Sequence, residues 1–239
     1  MGLSIYLPLP LVLDKGTNHA RTKLLIAVAT GILVFLLGDV FVDAAQSLYN
    51  GSLYGYGSSP IYDVVFAFSL TIGFLGLFFA GWRRKLSLTP TQLTMLIAVG
   101  IGFQNLTEGL LFGSLSVTMG LTSAALVVLV GFIFQNLTEG FPIASPFLGA
   151  TVEQRNAFLV IAGAMLIGGI PTIAGGAVGY FYSSTIFALI FDGLAIGTML
   201  YVILPMLRDL LREPDSAKLG IPYLGIFLGF ILGFIVNLL

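Results

Sequence analysis

The chain has 239 residues, of which 57% are hydrophobic and only 9% charged; soluble domains carry about 25% charged residues, so a soluble globular fold is excluded, and a mean hydropathy of +1.04 points to an integral membrane protein. The formal net charge of -1 says nothing about partners, and nucleic-acid binding is unsupported because the basic residues neither cluster on a soluble face nor interleave with exposed aromatics. With no cysteine there is no disulfide framework and no thiolate for soft-metal or redox chemistry.

The first element is the apolar run MGLSIYLPLPLVL at 1–13, too short to cross a bilayer. It lacks the basic start and small-residue cleavage site of a signal peptide, and Tyr6 stands where a myristoylation signal needs Ser or Thr. It reads as the tail of a helix that comes first in the bundle and whose beginning lies outside this chain. Seven apolar runs long enough to span a membrane follow, at 24–47, 61–82, 91–116, 123–149, 157–183, 186–207 and 220–239. The expected fold is thus an all-α integral membrane bundle, one transmembrane domain over 1–239, with seven full helices and a truncated first one.

Orientation follows from the loops. Lys15, Arg21 and Lys23 precede the 24–47 helix, and Arg83, Arg84 and Lys85 follow the 61–82 helix. Arg155 precedes the 157–183 helix, while Arg208, Arg212 and Lys218 lie between the last two. These are all of the Lys and Arg residues, and they fall in alternate loops; those near 48–60, 117–122 and 183–185 have none. The positive-inside rule predicts a multi-pass cell-membrane protein with the basic loops cytoplasmic and the chain ending outside at Leu239. His19, the only histidine, falls in a basic loop and reads as a solvated bystander.

The acidic residues are distributed differently. Asp14, Glu153, Asp209, Glu213 and Asp215 accompany the basic loops, as solvated charge does. Asp39, Asp43, Asp63, Glu108, Glu139 and Asp192 lie in the spans or at their outer ends, where no Lys or Arg can neutralise them. An ionised carboxylate at a helix centre costs roughly 2.5 to 3.5 kcal/mol even on the gentler insertion scale. Either a bound proton or a bound cation has to offset that cost.

Two of these acids belong to a duplicated motif. FQNLTEG at 103–109 returns letter for letter at 134–140. Gln104, Asn105 and Glu108 share one face of a helix because residues three and four apart are neighbours, and Gln135, Asn136 and Glu139 repeat the pattern. The joining loop near 120–122 lies midway between the copies, so an antiparallel hairpin over 91–149 brings both to one depth near the midplane. Two carboxylates and four amides then face each other, a set of oxygen donors suited to one or two divalent cations. Two carboxylates alone would repel, and one would take up a proton. The plainer reading is a polar hairpin held by interhelical hydrogen bonds. Asn105 and Asn136 also fit the glycosylation sequon, but at that depth neither is accessible; Asn50 is the accessible one.

The paired motifs resemble those of the ZIP (Zrt/Irt-like) family of divalent metal transporters, whose fourth helix typically carries His-Asn-x-Pro-Glu-Gly and whose fifth carries Gln or His, then Asn or Asp, x-Pro-Glu-Gly. DGLAIGTMLYVIL at 192–204 is similar to the family's seventh helix, GGIPTIAGGAVG at 168–179 to its small-residue sixth, and the Gly-rich ending to its eighth. The resemblance implies eight spans with both termini outside and a binuclear metal site, with Asn105, Glu108, Gln135, Asn136 and Glu139 in ligand positions and Gln104 where the fourth-helix motif has His. Thr107 and Thr138 replace the motif's prolines; a Thr loosens a helix more weakly, by bonding back to the preceding turn. Ile170 stands before Pro171 where the family has a glutamate, and Pro205 and Met206 occupy a region where the seventh helix often carries acids.

The expected function is transmembrane transport of a divalent cation down its gradient, without catalysis of a covalent reaction and without a cofactor beyond the bound or carried ion. A site lacking thiolate and imidazole favours Mn, Fe(II) or another oxygen-preferring ion, while family habit keeps zinc open. Asp39 and Asp43, four residues apart on one face, Asp192, and Asp63 at an outer helix end would form a negative funnel that concentrates cations from outside; the plainer alternative is that Asp39 or Asp192 pairs with a Ser, Thr or backbone carbonyl of a neighbouring helix. Gly168, Gly169, Gly175, Gly176 and Gly179 are expected at close helix contacts, and Pro142 and Pro146 to kink the inner half of the 123–149 helix. The partners expected are the metal ion and the lipid bilayer, no nucleic acid, with a homodimer left open. The rivals are a ZIP-fold protein that binds metal as a sensor or interaction partner without moving it, and an ion-coupled carrier of another solute.

Overall fold

A computed structural model describes residues 2–10, 19–49, 59–82, 88–120, 122–150, 154–182, 184–212 and 220–238. Among them are seven α-helices, each long and apolar enough to cross a membrane, and no strand. They are α1 (His19–Tyr49), α2 (Pro60–Trp82), α3 (Pro90–Met119), α4 (Ser123–Ala144), α5 (Gln154–Phe181), α6 (Thr185–Leu211) and α7 (Gly220–Asn237). The chain is a multi-pass helical membrane protein. Lys15, Arg83, Arg84, Lys85, Lys218, Asn50 and the side chains of His19 and Arg155 lie outside the described residues.

The helix ends follow local chemistry. α3 starts at Pro90 because Thr89 caps it: its hydroxyl accepts from the Gln92 amide at 3.3 Å, the Gln92 side chain accepts from the Thr89 N–H at 3.1 Å, and Pro90 occupies the first turn. At the other end Gly120, with φ of +65°, turns the chain into the hairpin. The expected 123–149 helix is shorter than predicted. It ends at Ala144, and Ser145–Phe147 form a 3-10 turn. Pro142 stays inside α4, but Pro146 stops it instead of kinking it, since it offers no N–H to Pro142 O. The Ser145 hydroxyl donates to that carbonyl at 2.9 Å.

Small residues set the packing. α3 lies against α5 along a seam where a Cβ on Gly109 would overlap the Thr172 carbonyl, and one on Gly175 or Gly179 the Leu106 or Leu110 carbonyl. α7 meets α1 in the same way through Gly229 and Gly31, and α2 meets α6 through Gly197 and Gly73. Backbones that close gain dispersion contacts unavailable between bulky side chains, the main source of helix association in lipid. Gly175 and Gly179 sit at such contacts, and Gly176 offers its backbone to Gly109 and Gly113 of α3, while Gly169 closes on the backbone of Gly2, in the N-terminal 3-10 turn, and Gly168 meets the side chains of Ile143 and Ile5.

α6 is the most enclosed helix and α2 the most peripheral, with 61% against 17% of their apolar windows buried. The outer face of α2 presents Val64, Phe68 and Phe79, and that of α7 presents Tyr223, Phe227 and Phe234, as lipid-facing surfaces do. Residues Gly2–Tyr6 form a 3-10 turn lodged between α4 and α5: Ile5 is fully buried against Gly140, the Ser4 hydroxyl donates to Ile133 O at 2.9 Å, and the Tyr6 hydroxyl to Ala162 O at 2.7 Å.

Candidate metal centre

The antiparallel α3–α4 pair brings the two motif copies together at mid-helix. In such a pair the glutamine that opens one copy faces the glutamate that closes the other. Gln135 Nε2 accordingly donates to Glu108 Oε1 at 2.6 Å. The mirror pairing is not made, because Gln104 Nε2 turns along its own helix to the same Glu108 oxygen at 3.1 Å. Glu139 is held by Asn105, whose Nδ2 donates to its Oε2 at 2.8 Å. Identical sequences thus acquire unequal surroundings.

Asn105 is the hub of the deeper half. Besides Glu139, its Nδ2 reaches Gly168 O of α5 at 2.9 Å and, more weakly, Asn136 Oδ1 at 3.3 Å. Asn136 turns its own Nδ2 back to Phe132 O at 2.9 Å. All six motif side chains are buried, with Asn105, Asn136 and Glu139 wholly enclosed. The Gly168 carbonyl was not foreseen. The signal for it is Pro171: without an N–H, and with a ring that crowds the carbonyl four residues back, proline loosens the preceding turn of α5 and leaves its carbonyls approachable. α3 and α4 themselves run unbroken through the motifs, and Thr107 and Thr138 bond back to Phe103 O and Gln135 O at 3.2 and 2.7 Å.

Each amide nitrogen of the two motifs donates at least one hydrogen bond, but four of the oxygens accept none. Gln104 Oε1, Asn105 Oδ1, Glu108 Oε2 and Glu139 Oε1 are buried with no hydrogen-bond partner. Orphaned polar atoms of this kind are few in native proteins, and each costs about 1–3 kcal/mol. All four are oxygens, two of them on carboxylates, and every Lys and Arg of the sequence lies in or beside the basic loops. Their chemistry fits a hard cation that takes oxygen ligands. Among the described residues no three His, Cys, Asp or Glu side chains converge, so amide and carbonyl oxygens would have to complete any such shell.

Above Glu108 opens a cavity of about 600 Å³ at the end of the bundle opposite Arg208 and Arg212. Gln104, Glu108 and Gln135 form its floor, and Asp39, Asp43 and Asp192 line its walls. The three acids named from the sequence therefore meet the motif glutamate in one space. Asp63 lies at a helix end, in the first turn of α2, but is not among the lining residues, a departure from its expected part in the funnel. Two of the acids have polar company: Asn237 Nδ2 of α7 donates to Asp39 Oδ1 at 2.8 Å, and the Thr107 hydroxyl lies within hydrogen-bonding reach of Asp192. Asn237, the one amide in α7, is an anomaly in an apolar segment and the sequence signal for its place here, while Gln46, Ser47, Ser114, Ser184 and Thr185 carry no such signal and complete the polar lining.

Toward the basic end the character reverses. One turn or two from the motifs, Ile97, Ala98, Ile101, Ile143 and Ala144 join Leu33, Leu36, Met199 and Val202 in a continuous apolar core. The polar floor is thus reached from one side and sealed on the other. Comparison of the chain with known protein families gave no match, and comparison with curated proteins gave none.

Proposed function

We propose that this protein is a ZIP-like transporter that carries a divalent cation of the manganese, iron(II) or zinc class across the membrane through the Glu108–Glu139 site. The observation that supports it most is the set of four orphaned buried oxygens on Gln104, Asn105, Glu108 and Glu139, beside two carboxylates with no Lys or Arg to balance them. A cation would remove the repulsion between the carboxylates and supply the missing partner of each oxygen. The acid-lined cavity supports an approach route, since a cleft of one sign concentrates counter-ions. By the positive-inside reading that cavity faces the exterior of the cell.

Uptake of radiolabelled manganese, iron(II) or zinc into proteoliposomes tests this. Uptake that Glu108→Ala or Glu139→Ala abolishes is the expected result. One observation favours a second reading, a protein that binds metal without moving it: α3 and α4 pass through both motifs as unbroken helices. Metal binding that depends on the same glutamates, with no flux, would decide for that sensor role. Flux of an organic solute requiring them would decide for an ion-coupled carrier.

A further inference from the structure

Two buried hydroxyls share the condition of the four motif oxygens: Thr94 Oγ1 and Thr172 Oγ1 have no hydrogen-bond partner. Thr94 stands near the start of α3, away from the motifs, whereas Thr172, 2% exposed in α5, stands beside them. A threonine hydroxyl inside a helix ordinarily bonds back to the carbonyl four residues earlier, as those of Thr30, Thr71, Thr107 and Thr198 do. For Thr172 that carbonyl is Gly168 O, and Asn105 Nδ2 already donates to it from α3 at 2.9 Å. The carbonyl three residues back, Gly169 O, is closed over by the backbone of Gly2. The hydroxyl is left without its usual local acceptor in an enclosed place.

Helix register says what it faces. α3 and α5 run in the same direction, since Gly102, Gly109 and Gly113 of α3 abut Ile167, Thr172 and Gly176 of α5 in turn, and α4 runs the opposite way. In the layer at Gly168, an added Cβ would stand 2.9 Å from the Ile143 side chain of α4 and 3.7 Å from that of Ile101 in α3. Residues four apart lie one above the other on a helix. One turn on, α5 therefore presents Thr172, α3 presents Asn105, and antiparallel α4, counted backwards, presents Glu139. The 2.8 Å bond from Asn105 to Glu139 shows two members of that layer in contact. Each of the three carries one orphaned oxygen: Asn105 Oδ1, Glu139 Oε1 and Thr172 Oγ1.

We infer that Thr172 is a further ligand in the deeper half of the centre, its hydroxyl oxygen joining the Asn105 amide oxygen and the Glu139 carboxylate on one cation. This rests on the reading of the centre as a cation site. One layer of three helices then supplies one anionic and two neutral oxygens, with no nitrogen or sulfur, a set that suits manganese better than zinc. Glu108, at the floor of the cavity, belongs to the other half. The rival role for Thr172 is a polar contact that holds α5 to the α3–α4 pair and takes no part in binding.

The test titrates the full chain, purified in a neutral detergent, with manganese chloride, and follows free Mn(II) by its paramagnetic resonance signal. Thr172→Val keeps the branched shape without the oxygen and is expected to weaken manganese binding at least about tenfold. Thr172→Ser, which restores the oxygen, is expected to stay within about threefold of wild type. The thermal midpoint of metal-free Thr172→Val is expected not to fall, because the lost hydroxyl has no partner. Thr172→Cys, in a chain with no other cysteine, is expected to give an ultraviolet cadmium–thiolate absorption that wild type lacks. Equal manganese binding by wild type and Thr172→Val, a lowered metal-free midpoint with unchanged affinity, or no cadmium band would each overturn the ligand role and leave the glutamate site standing. Wild-type manganese binding that is absent, or indifferent to Glu139→Gln, would overturn the cation-site reading and this inference with it. If Thr172→Val does not fold, the cadmium band of Thr172→Cys decides.

Discussion

Gln135 donates to Glu108 across the α3–α4 pair at 2.6 Å, while Glu139, the same residue of the second motif copy, is held by Asn105 at 2.8 Å. Glu108 also faces the acid-lined cavity, whereas Glu139 is wholly enclosed behind it. The duplicated heptapeptide therefore yields two inequivalent carboxylates, one at the floor of the cavity and one enclosed behind it.

Removing either charge while keeping the shape separates binding from folding. Glu108→Gln and Glu139→Gln retain an oxygen that can accept from the neighbouring amides, so circular dichroism is expected to show an unchanged helix content. Metal uptake is expected to fall at least about tenfold in each, since a lost charged ligand is worth more than the tenfold set by about 1.4 kcal/mol. Wild-type uptake in both variants would dismiss the metal site.

Asn105 and Asn136 are matched in sequence but not in what they connect. Asn105 ties α3 to α4 and α5, and Asn136 spends its Nδ2 on its own helix. Asn105→Leu leaves Glu139 Oε2 and Gly168 O without that donor and is expected to cost about 1–2 kcal/mol, within the range of interhelical hydrogen bonds in membranes. Asn136→Leu is expected to cost less than half as much. Reversible unfolding in mixed micelles measures both, and equal losses would contradict the hub role.

The glycine seam makes a sharper prediction. Gly175→Ala puts a methyl into the Leu106 carbonyl, and the α3–α5 contact cannot yield without moving backbone. Size-exclusion chromatography of the expressed variant is expected to show a severalfold loss of monodisperse protein. Gly163→Ala, on the same helix but facing open space, is expected to leave the yield intact.

The acid-lined cavity predicts a salt-sensitive approach. Asp43→Asn is expected to raise the KM for metal uptake by about threefold to tenfold at low ionic strength with little change in maximal rate. In about 0.5 M salt that gap should close, because screening acts within about 4 Å there. A KM effect indifferent to salt would place Asp43 in direct ligation instead.

Absence of cysteine makes orientation easy to test. Ser184→Cys, which lines the acid-lined cavity, is expected to react with a membrane-impermeant maleimide applied to intact cells. Thr22→Cys, which lines a second cavity at the basic end, is expected to react only after permeabilisation. The reverse pattern would invert the topology.

Seven helices, their approximate bounds and the pairing of the motif copies were legible in the residues themselves. Apolar length alone specifies a span, because lipid leaves the backbone no partner but itself, and a turn midway between two copies of one polar pattern sets both copies at one depth. Local chemistry also explains the early end of α4: Pro146 lies in an apolar run, so composition extends the helix past a residue that cannot donate to Pro142.

Tertiary structure decided the rest. That Gln104 sides with Glu108 and not Glu139, that Gly168 offers a backbone carbonyl, and that Asn237 travels from the far end of the chain to Asp39 all depend on which helices lie side by side. Periodicity says which face of a helix is polar but not which neighbour it meets. The neighbours here were chosen by glycines whose missing Cβ atoms let particular backbones touch.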